Sequence, residues 1–220
     1  MNIEFSESEL HGLDAISIVD KNILSAGIST GGKTEIEMMR RFPDAHVTAT
    51  TIDKEGVEHS KQMVLREGLT EKIEVKYEDV SAALPYEDSS VDYIYARLVL
   101  HYLPNQRLDA SLQEFSRILK PGGKVYIVVR STECPDAKMP GNEYDEATGI
   151  TTYHPVDPSG QRRSSVRRFH TVDSINGFVG KYFKIEYTKQ YDERLYRDYA
   201  RTQQSPHTDN VIELLAIKEA

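Results

Sequence analysis

Apolar residues along the chain fall into two rhythms, one of period near 3.6 and one of period 2, and the switches between them mark out its elements. Ser6 with Glu9 three residues on makes a capping-box pattern, and Leu10, Leu13, Ile16 and Val19 then recur at helical spacing, which predicts a short leading helix. "KNIL" reads as a brief strand feeding a glycine-rich turn, behind which Ile36, Met39 and Phe42 mark one face of a helix that Pro43 ends. "AHVTATT" is a β-branched strand. Lys54 to Gly68 follows as a helix with Val57, Met63 and Val64 to one side and Gly68 placed to stop it. "KIEVKYEDV" alternates as a strand and "VDYIYA" is an apolar one. Asn105 is then expected to cap a helix carrying Leu108, Leu112, Phe115, Ile118 and Leu119, after which "KPGG" turns the chain into the strand "KVYIVVR". Strands alternating with helices in this order predict an α/β fold with a mostly parallel sheet covered on both faces.

Past Arg130 the character changes. Residues 131–169 are polar and rich in Pro, Gly, Tyr and Arg, with "VDPSGQ" as a hairpin turn between "ITTYH" and "RRSSVRRF", and they read as an insertion, not a second domain. "TVDSINGFVGKYF" reads as helical, and "FKIEYTKQ" and "NVIELLAIK" as two final strands.

Composition narrows the partners. A chain of 220 residues suits one α/β domain, residues 1–220. A net charge of -8 disfavours nucleic acid and anionic membrane surfaces and leaves a small molecule as the expected partner. The single cysteine, Cys134, rules out an internal disulfide and fits a reducing compartment. "MNIEFSESELHG" is neither a signal nor a transit peptide, and no apolar run reaches membrane-spanning length, so the expectation is a cytoplasmic protein.

The chemistry turns on "LSAGISTGGKT", residues 24–34, which can be parsed in two ways. Gly27, Gly32, Lys33 and Thr34 satisfy G-x-x-x-x-G-K-[ST], the phosphate loop of nucleotide-binding enzymes. Read from Ser25, the same residues make S-x-G-x-S-x-G, a frayed form of the turn that opens nucleoside-binding Rossmann-like folds. The first parse also calls for a magnesium-holding aspartate at the end of an apolar strand, whereas Asp92 opens its strand.

Downstream sequence favours the second parse. From Asn22 to Arg130, "ILSAGISTGG", "VTATTID", "YEDVSAALPYEDSSVDYIYARLVLHYLPN" and "EFSRILKPGGKVYIVV" occur in the order found in class I S-adenosylmethionine (SAM) dependent methyltransferases of the small-molecule type, which the chain resembles. The resemblance implies a Rossmann-like seven-stranded, mostly parallel sheet whose last strand is antiparallel, with SAM as cofactor. It also implies a cofactor site at Ser25, Ala26, Gly27, Ser29 and Gly31, at Thr51, Ile52 and Asp53, at Asp79 and Val80, and at Ala96 and Arg97. Asp79 would meet the adenine amino group and Ala96 and Arg97 the methionine end. Asp79 alone also reads as a turn aspartate, and Arg97 as an ion-paired surface residue.

Three positions depart from that pattern. Ser25 stands where an acid usually helps hold the SAM ammonium, Ser29 replaces the middle glycine of the turn, and Thr51 stands where an acid grips the ribose hydroxyls, with Asp53 two residues on as its substitute. For the acceptor, His101 is the one histidine near the cofactor site and reads either as a general base or as an imidazole packed at a helix start. The insertion is the expected lid. Within it Tyr144, Tyr153, His154 and Arg168 are candidates to line an acceptor pocket, with Arg162, Arg163 and Arg167 completing a basic cluster that either binds an anionic acceptor or is a hairpin of solvated charges. No metal ligand set is visible. The expected function is methyl transfer to an oxygen or nitrogen of a small molecule. The alternatives are a catalytically silent relative that binds a metabolite or a protein, and a phosphate-loop enzyme.

Overall fold

A computed structural model of the chain describes residues 5–28, 30–154, 161, 164–196, 204–205 and 208–219. In chain order its elements are α1 (Glu7–Asp14), β1 (Asn22–Ala26), α2 (Lys33–Arg41), β2 (His46–Thr51), α3 (Lys54–Arg66), β3 (Ile73–Tyr77), β4 (Val91–Arg97), α4 (Asn105–Ile118), β5 (Leu119–Arg130), β6 (Glu143–Asp145), β7 (Ile150–Tyr153), β8 (Ser165–Arg167), α5 (Val172–Val179), β9 (Lys184–Glu193) and β10 (Asp209–Ile217). One sheet has seven strands in the order β3-β2-β1-β4-β5-β10-β9. The pairs among β1 to β5 are parallel, and β10 runs antiparallel to both of its neighbours, as expected of the final strand.

Period-2 alternation splits each central strand between two cores. Along β1 and β4, Leu24, Ala26, Ile94 and Ala96 join Leu108, Leu112 and Phe115 of α4 and Ile175 and Val179 of α5 on one face. Ile23, Tyr93 and Tyr95 point the other way, among Leu13, Ile36, Met38, Met39, Val57 and Val64 of α1 to α3. That second core is unusual in burying tyrosines, whose hydroxyls need partners. The leading helix supplies two of them, Tyr93 OH donating to Gly12 O at 2.8 Å and Tyr126 OH to Ser8 O at 2.7 Å, while the buried Tyr95 hydroxyl has no partner among the described residues. Close approach requires the bare Cα of Gly12, where a Cβ would stand 2.4 Å from the Tyr95 ring.

Two expectations are corrected at helix ends. The capping box of Ser6 and Glu9 forms, but α1 stops at Asp14, because Ser17 N donates to the Asp20 carboxylate (2.7 Å) and the chain turns; Ile16 is buried outside the helix and Val19 is exposed. The cap of α4 is Pro104, not Asn105. Asn105 instead donates to Ala147 O (3.0 Å) and accepts from Arg168 Nη2 (2.5 Å), tying the start of α4 to the insertion. Within 131–169, β6, β7 and β8 form a separate antiparallel sheet, and most of the expected "VDPSGQ" turn lies outside the described residues.

Candidate functional site

A cavity of about 440 Å³ opens at the carboxyl ends of the parallel strands. Its wall is made by Gly27 and Ile28 after β1, Thr51, Ile52 and Asp53 after β2, Glu78, Asp79 and Val80 after β3, and Arg97, Leu98, Val99, Tyr102 and Leu103 after β4. β1 sits between β2 and β4, so the cavity lies where the strand order reverses, the usual ligand crevice of an open α/β sheet. Its volume is that of a small-molecule site.

Local chemistry explains each wall. Gly27 has φ of +84°, a conformation L side chains resist, and a Cβ there would stand 2.7 Å from Val99 Cβ; the loop is held by Gly27 N and Ile28 N donating to Thr50 O at 2.9 and 2.8 Å. Asp53 caps α3 by accepting from Glu55 N (3.1 Å) while its own N–H donates to Thr51 Oγ1 (3.1 Å). Asp79 forms an Asx-type turn, its Oδ1 accepting from Ser81 N (2.9 Å) and Ser81 Oγ (2.7 Å), and its Oδ2 lies 3.9 Å from Arg107 Nη1. Glu78 accepts from Tyr86 OH at 2.8 Å. Leu98 takes φ of +56°, rare for a branched residue, with its N–H fixed to Val128 O at 2.8 Å. Such backbone strain has no sequence signature, and Glu78, Leu98, Val99, Tyr102 and Leu103 are wall residues that pattern reading misses.

Of the positions expected to hold the cofactor, Gly27, Thr51, Ile52, Asp53, Asp79, Val80 and Arg97 come together on this wall. Ser25, Ala26 and Ala96 are fully buried in their strands, and Gly31 lies in the turn before α2 with φ of +74°. Ser29 lies outside the described residues. Ser25 is not a weakened acid facing the cavity: its hydroxyl donates to Glu35 Oε1 of α2 at 2.6 Å. The wall residues fit SAM, because left-handed Gly27 brings bare backbone to the cavity and Asp53, Glu78 and Asp79 offer carboxylates along one side of it. The phosphate-loop parse does not fit. Thr34, which would have to meet magnesium, is buried with its hydroxyl donating to Glu9 Oε1 at 2.9 Å.

Arg97 reaches the wall, but its guanidinium turns away into a buried network with the leading helix. Nε donates to Ser8 Oγ (2.7 Å), Nη2 to Ser6 Oγ (2.9 Å) and to Glu193 Oε2 (3.4 Å), and Nη1 lies 3.9 Å from Glu9 Oε1. Burial works against its charge, but Glu9 and Glu193 more than offset that, raising its pKa. Arg97 therefore joins α1, β4 and β9 beside the cavity and is not a surface residue.

The acceptor candidates lie behind Tyr102. His101 is off the wall and buried, both ring nitrogens lack hydrogen-bond partners, and its ring lies against that of Tyr102, with centroids 4.5 Å apart. Burial, and next the charge of Arg167, hold its pKa well below the usual histidine range, so the ring is neutral. Tyr153 is buried beneath the Arg167 guanidinium (5.5 Å), His154 follows the end of β7, and Tyr144 is exposed on β6. None of these, nor Arg168, is on the wall. Arg168 is buried against Leu103 O (3.4 Å), Asn105 Oδ1 and Thr148 O (both 2.5 Å), a structural tie. Arg162 and Arg163 lie outside the described residues. Buried Cys134 and Asp209 and half-buried Asp136 have metal-like spacing, but Arg130 Nη1 sits among all three.

A family profile described as a methyltransferase domain matches residues 23–123, β1 through the glycines that lead into β5. The chain is similar to the sterol 4-C-methyltransferase strm-1 of Caenorhabditis elegans, 33% identical over 91 residues that make up 40% of this chain and 26% of that protein. It is also similar to phosphoethanolamine N-methyltransferase 1 of Arabidopsis thaliana, 31% identical over 144 residues, 64% of this chain and 27% of that protein. The chain thus spans about a quarter of the length of these relatives. Among solved structures, a SAM-dependent methyltransferase from Methanosarcina mazei superposes with a TM-score of 0.73 at 21% identity, covering 96% of each chain. Residues 23–123 thus match a methyltransferase domain, and the strand order about the crevice is that of the SAM-dependent methyltransferase fold.

Proposed function

We propose that the chain transfers a methyl group to a nitrogen or oxygen of a small, anionic acceptor, from SAM held in the cavity at the strand switch point. That cavity, walled by left-handed Gly27 and the carboxylates after β2 and β3, is the observation that carries the reading. SAM, when bound, supplies an activated methyl on a sulfonium. The chain's own part is to hold and align. Asp53 and Glu78 are within the wall to accept from ribose hydroxyls, Asp79 Oδ2 to accept from the adenine amino group, and Leu98 to Leu103 to close the methyl end against water. In-line displacement of this kind draws its acceleration mainly from alignment, so neutral His101 serves at most to take a proton from the acceptor. Buried Arg167, under the insertion of an acidic chain, supports an anionic acceptor. So does the similarity to an enzyme named for N-methylation of phosphoethanolamine.

We read residues 1–220 as a single domain with 131–169 as its lid, and the cytoplasm as its place, on the single buried Cys134 and on there being, among the described residues, no helix long and apolar enough to cross a membrane. A silent, metabolite-binding relative is the second reading, favoured by the uncharged Ser25 and Thr51. Calorimetric titration with SAM, with S-adenosylhomocysteine and with Mg-ATP separates them. Micromolar binding of both sulfur ligands, lost on Asp79→Ala, followed by turnover against a panel of small amines and acids, is the expected result. Binding without turnover favours the silent relative, and absence of binding overturns both.

A further inference from the structure

Behind the cavity wall, one arginine carries a hydrogen-bonding edge that is only half used among the described residues. Arg167, at the end of β8, is buried and its guanidinium is sandwiched between the rings of Tyr102 (5.2 Å) and Tyr153 (5.5 Å). On one side Nη1 lies 3.5 Å from Asp136 Oδ2, a carboxylate already shared with Arg130 at 3.2 Å. On the other side, Nη2 donates to Tyr102 OH at 3.1 Å and Nε, although buried, donates to nothing among the described residues. Those two nitrogens form the side edge of the guanidinium, whose parallel N–H bonds match the two oxygens of a carboxylate. A buried donor left without an acceptor is costly, and native chains rarely carry one without a reason.

The neighbouring orphan points the same way. His101 is tied to the end of the same strand, Arg168 N donating to its O at 2.7 Å, and its ring rests on that of Tyr102 (4.5 Å between centroids), where a neutral imidazole has one N–H donor with no acceptor among the described residues. Arg167 also exerts the largest of the charges on that ring. Tyr102 is the hinge of the arrangement: its ring is half exposed on the cavity wall while its hydroxyl occupies half of the arginine edge.

We propose that Arg167 binds a carboxylate of the methyl acceptor side-on through Nε and Nη2, the carboxylate displacing the Tyr102 hydroxyl and anchoring the acceptor beside the cofactor cavity. This rests on the methyl-transfer reading for the word acceptor, and on the geometry alone for the carboxylate site. Swinging Tyr102 aside joins the edge to the cavity without moving the sheet. Arg168 cannot take this role, because its donors are committed to Leu103 O, Asn105 Oδ1 and Thr148 O.

The probe is benzoate, with benzamide as its uncharged counterpart, titrated by protein NMR against wild type, Tyr102→Phe and Arg167→Lys, each with and without S-adenosylhomocysteine. Benzoate is expected to bind in the millimolar range and benzamide not at all. Arg167→Lys keeps the charge but loses the fork, and should weaken benzoate about tenfold or more. Tyr102→Phe removes the competing hydroxyl and should tighten it severalfold, a gain that no unfolded variant imitates. Equal binding of benzoate and benzamide, an unchanged Arg167→Lys, or a Tyr102→Phe no tighter than wild type each overturns the site. The S-adenosylhomocysteine titration reads the cofactor claim separately: its failure with benzoate still following this pattern removes the methyl-transfer reading and leaves the carboxylate site standing.

Discussion

Gly27→Ala tests whether the glycine turn is shaped for a ligand or merely allows the chain to bend. The substitution adds one methyl group at φ of +84°, 2.7 Å from Val99 Cβ, 3.0 Å from Cγ2 and 3.4 Å from Cγ1. Holding an alanine left-handed costs about 1–2 kcal/mol. Forcing its Cβ against Val99 adds about 1–3 kcal/mol of overpacking, because Gly27 is pinned to Thr50 and Val99 to its 3-10 turn. The expected loss is therefore about 2–5 kcal/mol, read by urea unfolding, with cofactor affinity by calorimetry falling at least tenfold because the methyl stands on the cavity wall. The two contributions separate in a double-mutant cycle. Val99→Ala keeps the closest atom, Cβ, and should relieve little, whereas Val99→Gly removes all three contacts and should recover about 1–3 kcal/mol in the Gly27→Ala background, leaving the backbone cost behind. A Gly27→Ala protein within about 0.5 kcal/mol of wild type, or strictly additive effects with Val99→Gly, would refute the reasoning.

Two further expectations follow from buried charge. His170 is fully buried and its pKa is held down to about 3, by burial and then by the charge of Arg168, while an unfolded histidine titrates near 6.5. Its folded pKa being the lower, stability is complete above pH 6.5 and drains as the pH falls toward 3, by about 2 kcal/mol at pH 5. His170→Asn should lose that much less than wild type between pH 7.5 and 5 in equilibrium unfolding, and parallel losses would show that the imidazole is not held neutral. Arg97→Met leaves the Glu193 and Glu9 carboxylates buried without their cation and should cost about 3–5 kcal/mol, part of it recovered by adding Glu193→Gln; a cost under about 1 kcal/mol would mean that the network does not hold α1 to the sheet.

How much of this was legible depends on the range of the interactions involved. Strand and helix order and the parallel sheet follow from local periodicity and turn chemistry, the antiparallel end is implied by the family resemblance, and "KNIL", "AHVTATT" and "VDYIYA" all emerged as the strands expected. The wall positions Gly27, Asp53 and Asp79 were readable because each also has a local reason to be there: a left-handed turn, a helix cap, an Asx turn. What escaped was set by partners far along the chain. Asn105 looks like a cap and is one nowhere, because Arg168 and Ala147 claim its side chain. Tyr144 and Tyr153 share a hairpin, but the pairing of β6 with β7 leaves one in solvent and the other under Arg167, and no spacing rule separates them. Leu98 is left-handed only because Val128, on the next strand, fixes its amide.

The departures at Ser25 and Thr51 look different once those distant partners are known. Ser25 lacks the charge that its position ordinarily brings, yet its hydroxyl is bonded to Glu35, and Glu9 of the leading helix sits against Thr34 one residue away. Both carboxylates are buried behind the glycine turn. Thr51 likewise surrenders its hydroxyl to Asp53 N, which fixes the backbone of the residue that does carry an acid on the cavity wall. In each place the charge has moved to a neighbouring element and the original position has become its hydrogen-bonding support. With α1 clamped behind the turn through Arg97, acids stand beside Ser25 and Thr51 where those two positions carry none themselves.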